Sequence, residues 1–359
     1  MKAKRLVALL LSAAMCMSMA ACSAGTSEPE APAVKPSEAP VETPAPAPAE
    51  PAKPAETPVA EPAERTVINI AGLKGPTSLG MLQLMENDAA EATANDYEFL
   101  LAGAADEIVG KIATGELDIA AVPTNVGATL YKKTEGGVQL AALNTLGVLY
   151  ILENGETIQS IEDLAGKSLV ATGQGSTPEY ALNLILEKNG LTDSVTVEYK
   201  AEHSEVPPML VSGEASIAML PQPFVTSVLA QNQNIRVALD VTEEWNKAVN
   251  GESDLTMGCV VVRKEFAENN PEALNAFLDE YKESVDYVNA NPAEAAQISE
   301  KFDIIKAAVA EKAIPECNIV FIEGDEMQKI ASGCLQVLFE ANPKSVGGAV
   351  PDEAFYYKR

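Results

Sequence analysis

One nine-residue phrase occurs twice in this chain: Gly115-Glu116-Leu117-Asp118-Ile119-Ala120-Ala121-Val122-Pro123 returns 98 residues later as Gly213-Glu214-Ala215-Ser216-Ile217-Ala218-Met219-Leu220-Pro221. Other landmarks repeat in the same order, Gly75-Pro76-Thr77-Ser78 against Gly175-Ser176-Thr177-Pro178 and Tyr97-Glu98-Phe99 against Glu198-Tyr199. Solenoid units run to about 20–50 residues, so this period is too long for one and has the size of a domain. The repeat predicts two similar α/β lobes whose equivalent loops face each other across a cleft, a usual place for a small ligand.

The amino terminus bounds the biology. Lys2, Lys4 and Arg5 precede the apolar run Leu6 to Met19, which is short for a bilayer span and reads as a secretory signal peptide over 1–21. At its end, Met19-Ala20-Ala21-Cys22-Ser23 resembles a bacterial lipobox, with Met19 where Leu is usual, and makes Cys22 the expected lipidation site. Residues 22–64 are mostly Pro, Ala and Glu, with too few large apolar side chains to offset the entropy of ordering. They read as a disordered tether, which as polyproline II would reach roughly 120 Å.

The remaining head, 65–359, is too long for one core and long enough for two. The net charge of -27 excludes nucleic-acid binding, which needs clustered Lys and Arg, and suits solubility outside the cell. Of five cysteines, Cys16 and Cys22 belong to the leader. Cys259, Cys317 and Cys334 form no C-x-x-C pair, so buried free thiols and a Cys317–Cys334 bridge both stay open.

Strand and helix patterns alternate as in parallel sheets. In the first lobe, strands are expected at Val67 to Ala71, Tyr97 to Ala102 and Asp118 to Val122, with helices over Thr77 to Ala92, Asp106 to Thr114 and from Pro123-Thr124-Asn125 onward. The second lobe repeats this from Ser168 to Leu239. Leu149 to Leu152 and Gly258 to Arg263 read as two antiparallel crossover strands forming a hinge. Lobe 1 is then 65–151 plus 259–359, and lobe 2 is 152–258. Asn270-Pro271 and Asn291-Pro292 are expected to cap two helices packed on lobe 1.

Gly175-Ser176-Thr177-Pro178 opening a helix, Leu220-Pro221-Gln222-Pro223-Phe224-Val225 after a strand, and the ending Pro351-Asp352-Glu353-Ala354-Phe355-Tyr356-Tyr357 carry a resemblance. With them, nearly the whole head resembles the substrate-binding lipoproteins of ABC importers, in the branch of sulfonate, taurine, nitrate and thiamine-precursor binders. That resemblance implies an α/β type II periplasmic-binding fold of two doubly wound lobes. It implies a monomer without cofactor or enzymatic activity, lipid-anchored on the outer face of the cell membrane. Such a protein closes on one small solute and delivers it to an ABC permease and its ATPase. A pyrimidine or vitamin-like ligand, a sensing ectodomain and a precursor-biosynthesis enzyme of the same fold are the competing readings.

In doubly wound sheets, ligands bind where helices begin beyond the carboxyl ends of strands. Four such starts carry hydroxyl or amide side chains: Thr77 and Ser78, Thr124 and Asn125, Ser176 and Thr177, and Gln222. Thr145, beside Asn144 at another strand end, belongs to the same edge, and Lys74 is the nearby cation. Helix amino termini with one cation favour an oxyanion such as a sulfonate or nitrate. The same Ser and Thr residues also suit plain caps, and Lys74 plain solvation.

Neither Gly173-x-Gly175 nor Gly72-Leu73-Lys74-Gly75 completes a phosphate-binding motif. The single histidine, His203, excludes a histidine-built metal site and reads as a cap or surface residue. Trp245 reads as local packing, with a place in the cleft wall as its other reading.

Overall fold

A computed structural model describes residues 65–359. The signal peptide, Cys22 and the tether therefore lie outside the described residues. Strand β1 (Val67–Leu73) leads through the short helix α1 (Pro76–Leu79) and α2 (Leu82–Ala89) to β2 (Asp96–Ala102). Then follow α3 (Ala105–Thr114), β3 (Ile119–Pro123), α4 (Thr124–Lys133), β4 (Val138–Leu146) and β5 (Leu149–Asn154). The second half holds β6 (Ser168–Thr172), α5 (Thr177–Lys188), β7 (Thr196–Lys200), α6 (Val206–Ser212), β8 (Ile217–Pro221), α7 (Phe224–Gln231), β9 (Ile235–Asp240) and α8 (Val241–Ala248). The chain returns through β10 (Thr256–Arg263) to α9 (Lys264–Asn269), α10 (Pro271–Ala290), α11 (Pro292–Lys301), α12 (Ala307–Ala313), β11 (Ile319–Ile322) and α13 (Gly324–Ala341).

The repeat is visible in the pairing. One sheet has the order β11-β4-β10-β3-β1-β2 and the other β7-β6-β8-β5-β9. In each, three parallel strands (β2, β1, β3 and β7, β6, β8) are followed by one antiparallel strand. Strands β3 and β8, the repeated Ile-Ala-x-x-Pro segments, are buried along their whole length, as strands covered on both faces must be. The repeated glycine before each also has a physical task. Gly115 closes α3 at φ 82° and Gly213 closes α6 at φ 81°, the left-handed cap conformation that glycine adopts without a Cβ penalty.

The crossover strands differ from expectation. Strand β5 lies wholly in the second sheet and β10 wholly in the first, so they do not pair with each other. The chain changes sheets at Gly147-Val148 and again just before Thr256, ahead of the expected boundaries at 151/152 and 258/259. Each sheet thus receives its antiparallel strand from the other half of the repeat. The registers match too: Gly258 stands opposite Pro123, and Leu149 opposite Pro221.

The helix expected from Thr77 to Ala92 breaks between Leu79 and Leu82. Ser284 of α10 explains the break, since its Oγ donates to the Gly80 carbonyl at 2.7 Å and accepts from the Leu84 N–H at 3.0 Å. It satisfies backbone groups that the interrupted ladder leaves open. Asn270 and Asn291 occupy the expected N-cap positions, but their side chains do not bond to the helices that follow. Their amides turn back to close the preceding helices, on Phe266 O at 3.4 Å and Tyr287 O at 2.9 Å.

Leu274, Phe277, Leu278, Tyr281, Val285 and Val288 of α10 are all buried, packing this helix on the first sheet with β1, β3 and β10. A second core fills the space under α6 and α7. A third is shared, joining α5 of the second lobe to α13 of the first through Leu182, Ile185, Leu335 and Leu338. Cys259, Cys317 and Cys334 are buried free thiols. Cys317 and Cys334 sit in different cores, which is why no bridge joins them. Trp245 is fully buried and donates its indole N–H to Ser253 O at 2.8 Å, the local packing role.

Candidate functional site

A cavity of about 460 Å³ lies between the two sheets at the carboxyl ends of their parallel strands. Its matched walls come from the repeat: Pro123 with Met257 on one side, Pro221 with Leu149 on the other. The antiparallel strands thus help to build the ligand space.

Of the nine expected ligand residues, Thr77 and Ser176 line this cavity. Thr77 is 6% exposed and its Oγ1 has no hydrogen-bond partner. A buried hydroxyl left unpaired is costly. Ser176 is the extended residue before α5 and holds the turn through its N–H on Gly173 O at 3.0 Å.

The other seven lie outside the lining. Ser78 Oγ donates to the Leu73 carbonyl. Thr145 Oγ1 donates to Asn144 Oδ1 at 3.2 Å, while Asn144 Nδ2 donates to Thr77 O at 3.0 Å, so this pair steadies Thr77 from behind. Gln222 Oε1 accepts from Thr226 N–H at 3.1 Å and Oγ1 at 2.8 Å, capping α7. Thr124 is fully buried with an unpartnered Oγ1 outside the cavity lining. Lys74 is also outside the lining, and its Nζ pairs with Asp303 at 3.5 Å on the surface.

Asn125 and Thr177 find each other. Asn125 Oδ1 accepts from Thr177 Oγ1 at 3.1 Å, and its Nδ2 donates to Gly175 O at 3.2 Å and Ser345 O at 2.9 Å. One amide of the first lobe therefore holds the first turn of α5 in the second.

Residues beyond the helix starts complete the site. His203, expected on the surface or as a cap, lines the cavity instead. Its Nδ1 is 2.5 Å from Thr172 Oγ1 and its ring centroid 5.4 Å from that of Phe224. Burial lowers its pKa from 6.5 to about 4, leaving a neutral imidazole at neutral pH. Tyr199 at the end of β7 presents a buried hydroxyl without a partner, and burial pushes its phenol pKa upward. Its neighbour Lys200 is paired with Glu198 at 2.6 Å, a hydrogen bond that raises the ammonium pKa. Gly103 and Ala104 of the loop after β2, with Ala105 and Asp106 at the start of α3, line the cavity from the first lobe. The landmark pair Tyr97-Glu98-Phe99 and Glu198-Tyr199 is the sequence signal that points toward Tyr199, although it marks the strands and not a site.

Among the described residues no group of His, Cys, Asp and Glu is placed to hold a metal ion. None of their helices is long and apolar enough to cross a membrane.

A family model described as NMT1/THI5 like matches residues 107–295, from α3 of the first lobe across the whole second lobe to α11. The chain belongs to the NMT1/THI5-like family. No curated protein matches the sequence. Solved structures share its fold at low identity. An ABC transporter protein from Parabacteroides distasonis is 22% identical with a TM-score of 0.67, over 82% of this chain and 99% of that one. The alkanesulfonate-binding protein SsuA of Xanthomonas axonopodis pv. citri, solved with MOPS, is 13% identical with a TM-score of 0.63, over 81% and 96%. The periplasmic nitrate-binding protein NrtA of Synechocystis PCC 6803 is 14% identical with a TM-score of 0.53, over 67% of each chain. The NMT1/THI5-like chain therefore has the two α/β lobes expected from its repeat and the type II periplasmic-binding architecture that its resemblance implies.

Proposed function

We propose that this protein is the extracytoplasmic solute-binding component of an ABC importer. It is held at the outer face of the membrane through lipid on Cys22 and captures one small molecule by closure of its two lobes. The observation that carries the reading is a cavity walled by both lobes at the carboxyl ends of their parallel strands, with Thr77 on one side and Tyr199 on the other. A solute bonded to both contributes binding energy only when the lobes are together, and so shifts the population toward the closed form. The short links between the sheets, Gly147-Val148 and the segment before Thr256, are the places for hinge motion.

Solved relatives of this fold that carry the names of importer components, sulfonate binders and nitrate binders support the reading. The lipobox-like leader and acidic surface agree with it. Closure is tested by small-angle scattering of the full chain with and without a solute found by thermal-shift screening. A solute that raises the melting temperature should also reduce the radius of gyration. A melting shift with no change in dimensions counts against closure.

A further inference from the structure

We infer that the segment from Glu202 to Pro208 is the closing latch of the second lobe, and that Gly75 and Gly103 of the first lobe form the notch that receives it. This rests on the solute-binding reading above and names the residues that set how readily the lobes meet.

Backbone conformation does not account for these two glycines. Neither has the left-handed φ that favours glycine, so each position would accept a side chain if there were space for one. In both cases the space is taken by the other lobe. A Cβ on Gly103 would stand 3.1 Å from Cδ of Glu202 and 3.2 and 3.4 Å from its carboxylate oxygens. A Cβ on Gly75 would meet His203 Cδ2 at 3.9 Å, so a branched side chain there would crowd the ring. The N–H groups of Gly103 and Ala104 are already taken by Glu107 Oε1, at 3.0 Å each. Glu107 and Glu202 carry the same charge, so the contact at Gly103 is one of fit and not of attraction.

The latch is held in shape by its own lobe. His203 Nδ1 is 2.5 Å from Thr172 Oγ1, its ring lies against Phe224, and the Glu202 N–H donates to Glu205 Oε1 at 2.8 Å. Further along the same segment a second piece of the first lobe meets it. Ser204, Pro207 and Pro208 share a cavity of about 380 Å³ with Ile304, Ile305 and Val309, and Ile305 also packs against the core under α6 and α7. That loop is equally well fixed. The fully buried Ser299 donates its Oγ to Ile305 O and accepts from the Ile305 N–H, both at 3.2 Å, while Glu300 Oε2 accepts from the Ala307 N–H at 3.0 Å. Two preformed surfaces therefore meet without rearrangement. Their contacts exist only when the lobes are together, so they favour the closed form even without solute, and the room at the glycines decides how far.

The test measures lobe separation in the solute-free full chain. Nitroxide labels on Ala113→Cys of the first lobe and Glu214→Cys of the second, both exposed positions, give the distance by pulsed electron paramagnetic resonance. Cys16→Ser and Cys22→Ser remove the leader thiols, and Cys259, Cys317 and Cys334 are buried. The parent chain should show a short-distance population. Gly75→Val and Gly103→Val, each folded by circular dichroism, should move most of that population to longer distances. Adding Glu202→Ala should restore the short distance in Gly103→Val and leave Gly75→Val open, a rescue that a general loss of stability would not produce. Unchanged distances in both glycine variants, or a parent chain with no short population, overturn the latch. Because the distances are read without solute, a screen in which no solute raises the melting temperature strikes only the solute-binding reading, and unchanged distances strike only the latch.

Discussion

Asn125 and Thr177 sit on opposite lobes and hydrogen-bond to each other at 3.1 Å, with Asn125 also donating to Gly175 O across the same gap. Both stand at helix starts that face the cleft, and both spend their polar atoms on the protein instead of the cavity. Near-total burial of the two side chains makes the bond worth more than a surface contact. Asn125→Ala should therefore loosen the lobes in the ligand-free chain. The expected readout is a larger radius of gyration and a loss of about 1 kcal/mol in urea unfolding. A double-mutant cycle with Thr177→Val should show coupling of about 0.5–3 kcal/mol. Strict additivity would disprove the clasp.

Two buried hydroxyls, Thr77 Oγ1 and Thr124 Oγ1, have no partner. Replacing either by the isosteric valine removes an unsatisfied group without opening a void. Thr77→Val and Thr124→Val should each raise the stability of the ligand-free chain, by about 1 kcal/mol. Thermal unfolding checks this, and a lower melting temperature in either variant would show that the hydroxyl has a partner in solution.

His203 makes stability depend on pH with a definite sign. Its folded-state pKa of about 4 lies below the ordinary 6.5, so between these values the unfolded chain takes up a proton that the folded chain refuses. The penalty is absent above pH 6.5, grows as pH falls and is complete below about 4. It is on the order of 2–3 kcal/mol. Since His203 is the only histidine, His203→Gln should flatten the fall in melting temperature between pH 7 and 4.5 relative to the parent chain. Parallel pH profiles would contradict burial of the ring.

The repeated glycines offer a symmetric test. Gly115→Ala and Gly213→Ala each force a Cβ into left-handed backbone at a helix end. Each should cost about 1 kcal/mol, read as a lower urea midpoint with an unchanged slope. A neutral effect at both would show that the cap relaxes freely.

How much of this was legible follows from what a repeat encodes. The phrase ending in Pro123 and Pro221 specified the left-handed caps, the buried strands and the two-lobed architecture, since these depend on local propensity and on burial of continuous apolar runs. It also pointed to the edge of each sheet where the cavity lies. The chain's choice among neighbouring polar residues was not legible. Ser176 faces the cavity while Thr177 faces Asn125, because one residue along a helix start turns the side chain by about 100°. Pairing of the two crossover strands looked natural from their apolar patterns, yet each is placed in the other half's sheet.

The sequence by itself determined the acidic composition, the duplicated α/β halves and the helix of Leu274 to Val288, all carried by composition or short-range periodicity. Tertiary structure alone decided that His203 and Tyr199 line the cavity, that Lys74 lies outside its lining, and that Asn125 clasps the opposite lobe. Those outcomes depend on which side chains meet across the gap between lobes. Contacts between residues 31 to 220 positions apart leave no periodic trace in the chain.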